Sequence, residues 1–157
     1  MHGRRAARHL RRPFIDLDRR VSQLAGESVR RIFRTRGEPA FRELEHRATV
    51  ALASEPAAIV APGGGWIMDP ANVTLVRPGA TLVWLRVSPA VAVQRMGTRI
   101  RLRPLLAGDD PVGALEALLE RRAAHYATAD AVIDTEALDW HGVVLALAAL
   151  ATLATRR

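Results

Sequence analysis

Short runs of apolar and β-branched residues alternate along the chain with longer segments in which apolar residues recur at helical spacing. The short runs read PFIDL, AAIVAP, TLVWLRV and AVIDT, and they are nearly continuous rather than alternating in polarity. Continuous runs are typical of parallel strands that helices cover on both faces. Helical spacing predicts helices near residues 28–35, 38–54, 70–77, 89–97, 112–127 and 140–155. This order predicts an α/β fold, a parallel sheet with flanking helices.

Two further segments have a pattern of their own. Residues 97–111, GTRIRLRPLLAGDDP, contain three arginines, two glycines, two prolines and two aspartates between predicted helices. A long loop within a compact domain is typically a lid or a binding loop. The apolar run at residues 143–155, VVLALAALATLAT, is shorter than the roughly 20 residues that a membrane span requires. We therefore predict a terminal helix packed on the domain, and no membrane association.

The length and the absence of cysteine narrow the class of protein. A chain of 157 residues fits a single domain, residues 1–157. Without cysteine there are no disulfides and no thiol nucleophile, which excludes a disulfide-stapled secreted domain. No stretch has the order of charged, apolar and small residues that marks a signal peptide. A cytoplasmic enzyme or binding protein is expected.

The basic charge lies in the first third of the chain. The formal net charge is +7, all 23 basic residues are arginine, and residues 1–47 hold 13 arginines against 6 acidic residues. Such a segment can attract polyanions. However, it lacks the stacking aromatics that a single-strand nucleic-acid binder uses. We predict a solvated basic face and no nucleic-acid partner; the competing hypothesis of a nucleic-acid binder predicts a steep salt-dependent shift with DNA or RNA.

Two aspartates stand at the end of the first predicted strand, in FIDLD. Asp16 and Asp18 are two residues apart, so in a strand they would share one face at its carboxyl end, where open α/β sheets bind ligands. One carboxylate there could help to hold Mg²⁺ through waters while the other accepts a hydrogen bond from a substrate hydroxyl. The structural alternative is that Asp18 merely caps the helix that follows.

Arginines on predicted helices are candidate anion clamps. Arg42 and Glu45 lie three residues apart in EPAFRELE, a spacing that by default indicates a surface ion pair. The functional alternative places Arg42 in the cleft, where it binds a carboxylate bidentately while Glu45 orients it. Arg121 and Arg122, in LLERRAAHY ahead of the last strand, offer a second clamp.

Glycines and a loop arginine complete the candidate chemistry. Gly63, Gly64 and Gly65 follow the second strand in APGGGW, and consecutive glycines let backbone N–H groups approach a ligand closely. A plain turn would need only one or two of them. Arg103 lies in RPLLAG on the candidate lid. An arginine there suits phosphoryl transfer, because charge spreads over the γ-phosphoryl oxygens in the transition state.

The order of these motifs closely resembles shikimate kinase, a family with the nucleoside-monophosphate-kinase-like P-loop fold. The resemblance covers about residues 3–135: FIDLD, F-R-x-x-E, GGG, R-P-L-L-A-G, and E-R-R-x-x-x-Y before V-I-D-T. It implies ATP- and Mg²⁺-dependent phosphorylation of the shikimate 3-hydroxyl, in chorismate and aromatic amino-acid biosynthesis, by a cytoplasmic monomer. A related kinase, such as one for gluconate, fits less well, because FIDLD and the two candidate clamps match shikimate kinases better.

The resemblance also implies the residues that hold the substrate. Asp18 would bind the shikimate hydroxyls and assist deprotonation of the attacking 3-hydroxyl. Arg42 and Arg122 would grip the shikimate carboxylate. Gly64, between Gly63 and Gly65, would offer a backbone N–H to the ring.

On the nucleotide side, the resemblance implies that Asp16 lies near magnesium, through water, and that Arg103 closes over ATP and stabilises the transferring phosphoryl group. Arg95 would lie near the adenine. Two features depart from the family pattern. The stretch TEALDWHG after the last strand contains no arginine where the family contacts ATP, and Trp66 stands where a small residue is usual.

The family carries its first strand and the P-loop, G-x-x-x-x-G-K-[ST], ahead of a segment like residues 3–10. That motif does not occur in the 157 residues, which contain no lysine, and an arginine does not replace the P-loop lysine. Because the family's first strand lies in mid-sheet, we predict that this central strand is missing, leaving unpaired strand edges and an apolar slot. We favour a start codon placed too far downstream over a chain that folds poorly. The alternative function is a non-catalytic shikimate-binding remnant, and residues 1–157 alone are expected to bind ATP weakly or not at all.

Overall fold

Strands and helices alternate in the computed structural model, which describes residues 2–106 and 108–154. The strands are β1 (Phe14–Asp16), β2 (Ile59–Ala61), β3 (Val83–Arg86) and β4 (Ala131–Asp134). The α-helices are α1 (His2–His9), α2 (Leu17–Ala25), α3 (Val29–Val50), α4 (Pro70–Val76), α5 (Pro89–Met96), α6 (Pro111–Tyr126) and α7 (Trp140–Ala154). The predicted α/β class with parallel strands and flanking helices is confirmed. Met1, the lid residue Ala107 and residues 155–157 of the predicted domain lie outside the described residues.

The four strands form two separate two-stranded sheets rather than one. In the first sheet β1 is parallel to β2, with residues 14–16 opposite residues 59–61. In the second, β3 is parallel to β4, with residues 83–86 opposite residues 131–134. Within the described part of the chain, no strand pairing joins the two sheets. This is the arrangement that the sequence predicts for a sheet without its central strand.

A cavity of about 1650 Å³ lies between the two sheets. Its wall includes β2 and β3 together with apolar side chains of the covering helices, such as Leu119 and Leu150. None of the residues of β2 or β3 is fully buried. Strands covered by helices and by neighbouring strands bury their side chains almost completely, so the partial exposure of β2 and β3 follows from the open space beside them.

Two clusters of apolar side chains hold the helices together. The main core lies between α2, α3 and the segment after β2, and it consists of Leu17, Val21, Ile32, Phe41, Leu44, Ala48 and Trp66. The second lies where α7 packs on α1, and its buried members are Ala6, Ala7, Val143, Val144 and Ala148. The packed terminal helix is therefore confirmed. No helix among the described residues has the length and apolar character needed to cross a bilayer.

The helices confirm the prediction in one place and differ from it in another. The helices predicted at 28–35 and 38–54 are confirmed as the two parts of α3, which are separated at Gly37, where φ is 81° and ψ is 176°. The nine-residue helix α2, which begins directly after β1, is not among the predicted helices. Glycine adopts positive φ without the steric cost that a Cβ imposes. Pro39 follows within the first turn of the second part, where its missing N–H is tolerated.

The predicted lid contains more regular structure than a loop. Two short 3₁₀ helices, Gly97–Leu102 and Pro104–Leu106, connect α5 to α6. Asp110 then caps α6, its carboxylate accepting a hydrogen bond from the Gly113 N–H at 2.9 Å. The function of residues 97–111 as a lid stays a prediction.

Candidate active site

Charged side chains from three helices meet around residues 63–65, which we call the glycine loop. A Cβ atom added at Gly63 would lie 3.2 Å from Asp18 Oδ1, and one added at Gly64 would lie 3.4 Å from Arg122 Nη1. Asp18 belongs to α2 and Arg122 to α6, and both line the cavity that reaches between the sheets. The structure thus brings these two predicted residues together at the carboxyl end of β2.

Arg42 reaches the same loop from α3 and is fixed by carboxylates of its own helix. Its Nη1 donates to Glu45 Oε2 at 2.7 Å, and its Nη2 and Nε donate to Glu38 Oε1 at 2.6 and 3.1 Å. The Glu45 side chain is 1% exposed, so this is not the solvated surface pair of the default interpretation. A guanidinium has five N–H donors, and three are used here. Two donors therefore remain for a ligand.

Two carboxylates lie beside this arginine, the partly buried Asp18 and the buried Glu45. Burial raises the pKa of Asp18 above its ordinary value of 3.8, and the nearby Asp16 carboxylate raises it further, against the opposing effect of Arg103. Burial also raises the pKa of Glu45 above 4.5, despite its bond to Arg42. Glu45 Oε1 is buried and has no hydrogen-bond partner among the described residues. Both carboxylates are thus costly to keep charged, and one oxygen is left ready to accept a donor.

The first aspartate of FIDLD has a different position from the one predicted. Asp16 is the N-cap of α2, with Oδ1 accepting a hydrogen bond from the Arg19 N–H at 3.2 Å. The interpretation that Asp16 and Asp18 share one face of a strand is wrong, because the chain becomes helical at Leu17. The alternative that Asp18 caps this helix is wrong for the same reason. Asp18 lies in the first turn of α2 instead.

The sequence predicts a magnesium site near Asp16, beside Asp18. Among the described residues there is no group of three or more side chains that could hold a metal ion by itself. Mg²⁺ usually keeps several waters and needs only one or two carboxylates besides the phosphates of a substrate. Asp16 and Asp18 both line the cavity, and Asp16 raises the pKa of Asp18, an effect that a nearby cation would relieve. These residues therefore fit a water-mediated magnesium site.

The two arginines predicted to contact ATP lie in different surroundings. Arg95, near the end of α5, donates from Nη1 and Nη2 to the hydroxyl and carbonyl oxygens of Thr135, both at 2.8 Å. These bonds tie α5 to the segment after β4. Arg103 is exposed on the lid segment and lines the same cavity as Asp18. The nucleotide contacts of both arginines stay predictions.

The structure distinguishes between the two candidate clamps on α6. Arg121 is exposed, and its Nε donates to the carbonyl oxygen of Ala117 in its own helix at 3.2 Å. Arg122 is partly buried and faces the glycine loop. Arg122, and not Arg121, is therefore the side chain that could share a ligand with Arg42.

Three contacts at the site are absent from the sequence-based prediction. Glu38 binds the clamp arginine of α3, the Tyr126 hydroxyl donates to the Gly64 carbonyl oxygen at 2.6 Å, and Trp66 Nε1 donates to Thr49 Oγ1 at 2.9 Å. The first could have been found, because Glu38 lies four residues before the arginine that it binds. The other two join distant parts of the chain, and no spacing in the sequence indicates them.

Comparison with known protein families and sequences finds shikimate kinases. A family model described as shikimate kinase matches residues 1–149. The shikimate kinase of Moorella thermoacetica is 42% identical over 134 residues, which are 85% of this chain and 76% of that protein. The shikimate kinase of Desulforudis audaxviator is 43% identical over 133 residues, 85% of this chain and 69% of that protein.

Comparison with solved structures also finds shikimate kinases. Shikimate kinase from Acinetobacter baumannii, in complex with shikimate, has a TM-score of 0.87 at 29% identity and covers 95% of this chain and 83% of that one. Shikimate kinase from Aquifex aeolicus has a TM-score of 0.79 at 26% identity, and the match covers 99% of this chain and 89% of that one. The chain therefore belongs to the shikimate kinase family, phosphotransferases of the P-loop kinase fold that use ATP as the phosphate donor.

Proposed function

We propose that the protein is a shikimate kinase, which transfers the γ-phosphoryl group of ATP to the 3-hydroxyl of shikimate. One observation carries the proposal: Asp18, Arg42 and Arg122, from three different helices, all abut the same glycine loop. Shikimate presents a carboxylate on one side of its ring and hydroxyls on the other. Two guanidinium groups and a carboxylate around one cavity match that distribution of charge and hydrogen-bond donors.

The arginines bind the acid end of the substrate. Arg42 keeps two unused N–H donors while Glu38 and Glu45 hold its orientation. Arg122 approaches the same loop from α6, whereas Arg42 approaches it from α3. Charge-assisted hydrogen bonds from two planar guanidinium groups fix both the position and the direction of a carboxylate. This anchoring places the ring, and with it the reacting hydroxyl.

The carboxylates and glycines bind the hydroxyl end. Asp18 accepts a hydrogen bond from the 3-hydroxyl and takes its proton as the oxygen attacks the γ-phosphorus and ADP leaves. Its raised pKa makes it a stronger base than an ordinary aspartate. Glu45 Oε1, which has no partner among the described residues, accepts from another hydroxyl of the ring, and the N–H of Gly64, between Gly63 and Gly65, donates to a hydroxyl oxygen on the ring.

On the phosphate side, Arg103 stabilises charge on the transferring group from the lid, residues 97–111, and Arg95 lies towards the adenine. Asp16 would hold Mg²⁺ through water, and the ion would supply neutralising charge there. The P-loop motif is not among the 157 residues, so we expect weak or no binding of Mg·ATP by residues 1–157 alone. Residues 1–157 belong to a single domain, and the protein acts as a monomer in the cytoplasm.

The binding half of the proposal is tested by isothermal titration calorimetry on the 157-residue protein. Shikimate should bind, and its methyl ester should bind at least about tenfold more weakly, because esterification removes the charge that the two arginines recognise. Gluconate is the control for the related kinase. No heat of binding with shikimate, or tighter binding of gluconate, would contradict the proposal.

The catalytic half of the proposal is tested by sequencing the DNA directly upstream of the first codon. If an in-frame apolar strand followed by G-x-x-x-x-G-K-[ST] is encoded there, the extended chain should phosphorylate shikimate, and not gluconate, in a coupled assay for ADP. A stop codon there, together with shikimate binding by the 157-residue chain, would instead favour the non-catalytic shikimate-binding remnant.

A further inference from the structure

Tyr126 connects three elements around the glycine loop. It is the last residue of α6, and its hydroxyl donates a hydrogen bond to the Gly64 carbonyl oxygen at 2.6 Å. Its ring stacks on Trp84 of β3, with the ring centroids 5.3 Å apart and an interplanar angle of 15°. The Tyr126 side chain therefore packs on the sheet of β3 and β4, and it binds the glycine loop that follows β2 of the other sheet.

The hydrogen bond fixes the direction of a peptide plane. The C=O and N–H of a trans amide point in opposite directions, so a bond to the Gly64 carbonyl also determines where the Gly65 N–H points. Among the described residues, neither the Gly64 nor the Gly65 N–H donates to another protein group. The Trp66 N–H closes the loop on the Gly63 carbonyl oxygen at 3.0 Å, but this bond does not fix the peptide between Gly64 and Gly65, because glycines allow that peptide to flip.

The same glycine also contacts the clamp arginine of α6. A Cβ atom added at Gly64 would lie 3.1 Å from the Tyr126 Oη and 3.4 Å from Arg122 Nη1. Arg122 and Tyr126 are four residues apart, so they project from one face of α6. The loop is thereby held at a fixed distance from Arg122.

We propose that Tyr126 is a positioning residue of the shikimate site. Its hydroxyl orients the glycine loop so that the loop N–H groups and the Arg122 guanidinium meet one substrate molecule together. This inference rests on the proposed function for the identity of the ligand, but the orientation of the loop can be measured without it.

The test is Tyr126→Phe, which keeps the ring and its stacking on Trp84 and removes only the hydroxyl. We expect the Kd for shikimate, measured by calorimetry, to rise about five- to tenfold, the range for one lost hydrogen bond. Amide hydrogen exchange should become faster at Trp66, whose N–H donates to the Gly63 carbonyl oxygen at 3.0 Å, and stay unchanged outside the loop, and the Tm should stay within about 2 °C. A purely structural role would lower the Tm without confining the faster exchange to the loop.

Thr128→Val is the matched control. It removes a hydroxyl two residues further along, one that donates to the His125 carbonyl oxygen at 2.8 Å and does not touch the loop. Its Kd and exchange pattern should equal those of the unsubstituted protein. Unchanged affinity and unchanged loop exchange in Tyr126→Phe would overturn the inference while leaving the proposed function intact. If the unsubstituted protein failed to bind shikimate, the proposed function would fall, and exchange at Trp66 would still decide whether Tyr126 orients the loop.

Discussion

The Arg42 guanidinium lies against the backbone of Gly65, so closely that a Cβ atom at residue 65 would overlap it, with Arg42 Cζ only 2.8 Å away. The φ angle of Gly65 is −92°, which any residue can adopt. A side chain at residue 65 would therefore have to displace the Arg42 guanidinium, although the backbone conformation would allow it. The arginine cannot withdraw without losing its hydrogen bonds to Glu38 and Glu45.

Gly65→Ala should displace Arg42 from the site. We expect shikimate affinity to fall at least about tenfold and the free energy of unfolding to fall by about 1–3 kcal/mol, as for other overpacked positions. Calorimetry and urea denaturation measure the two effects. Gly79→Ala is the control, because a Cβ at Gly79 meets no atom within 4 Å. Equal affinities of the two variants would show that Arg42 does not depend on this glycine.

The two neighbouring arginines of α6 should differ in function. Arg122→Met should weaken shikimate binding by about ten- to a hundredfold, the loss expected for hydrogen bonds between charged groups, and should leave binding of the methyl ester nearly unchanged. Arg121→Met removes the same charge from the exposed side and should change the Kd less than about twofold. Similar losses in both variants would indicate general electrostatic attraction and not a specific clamp.

Asp18→Asn should stabilise the fold and reduce function. The pKa of Asp18 is raised in the folded state, mainly by burial, so the folded protein retains a proton that the unfolded chain has already released. The free energy of unfolding therefore falls as the pH rises from about the ordinary value of 3.8 through the raised pKa, and the penalty persists above it. A neutral asparagine carries no such penalty.

Thermal melts between pH 4 and pH 7 measure this effect. The Tm difference between Asp18→Asn and the unsubstituted protein should grow in favour of the variant as the pH rises, while phosphotransfer by the extended chain should fall about 10²–10⁴-fold for loss of the base. Asp109→Asn, on the exposed lid segment, is the control and should change neither quantity. A variant that is less stable than the parent at pH 7 would contradict the argument.

Thr49→Val should destabilise the core beneath the glycine loop. Thr49 is fully buried, and its Oγ1 accepts the hydrogen bond of Trp66 Nε1 at 2.9 Å. Valine has the same shape but leaves the indole N–H unsatisfied, at a cost of about 1–3 kcal/mol. Thr35→Val removes a comparable hydroxyl on the exposed side of α3, bonded to the Arg31 carbonyl oxygen, and should be nearly neutral. Urea denaturation that fails to separate the two variants would argue against this account of Trp66.

The strands could be predicted from the sequence because each is a short apolar run bounded by turn residues. Helix α2 is not in the predicted set, although Leu17, Val21, Leu24 and Ala25 have helical spacing, because the predicted strand FIDLD extends to Asp18. Its ends depend on local contacts: the Asp16 cap at the beginning, and Gly26 with φ of 68° at the end. The break in α3 could be predicted, because the helices expected at 28–35 and 38–54 leave Gly37 between them.

Within the site, contacts along one helix could be predicted and contacts between elements could not. Arg42 and Glu45 are three residues apart, so helical geometry alone brings them together. Tyr126 and Gly64 are 62 residues apart and meet only through the packing of α6 against the loop. The family resemblance supplied the set of residues, but the anchor of the glycine loop follows from the three-dimensional arrangement.

The three hydrogen bonds that Arg42 donates to Glu38 and Glu45 have a thermodynamic consequence for recognition. An arginine that is free in solution has many rotamers, and ordering one such side chain at a binding site costs about 0.5–1.5 kcal/mol. In this protein the Arg42 guanidinium is immobilised by its hydrogen bonds to Glu38 and Glu45, and its side chain is 27% exposed. The side-chain entropy of Arg42 is lost when the polypeptide folds, so the binding of an acid does not have to order this side chain again.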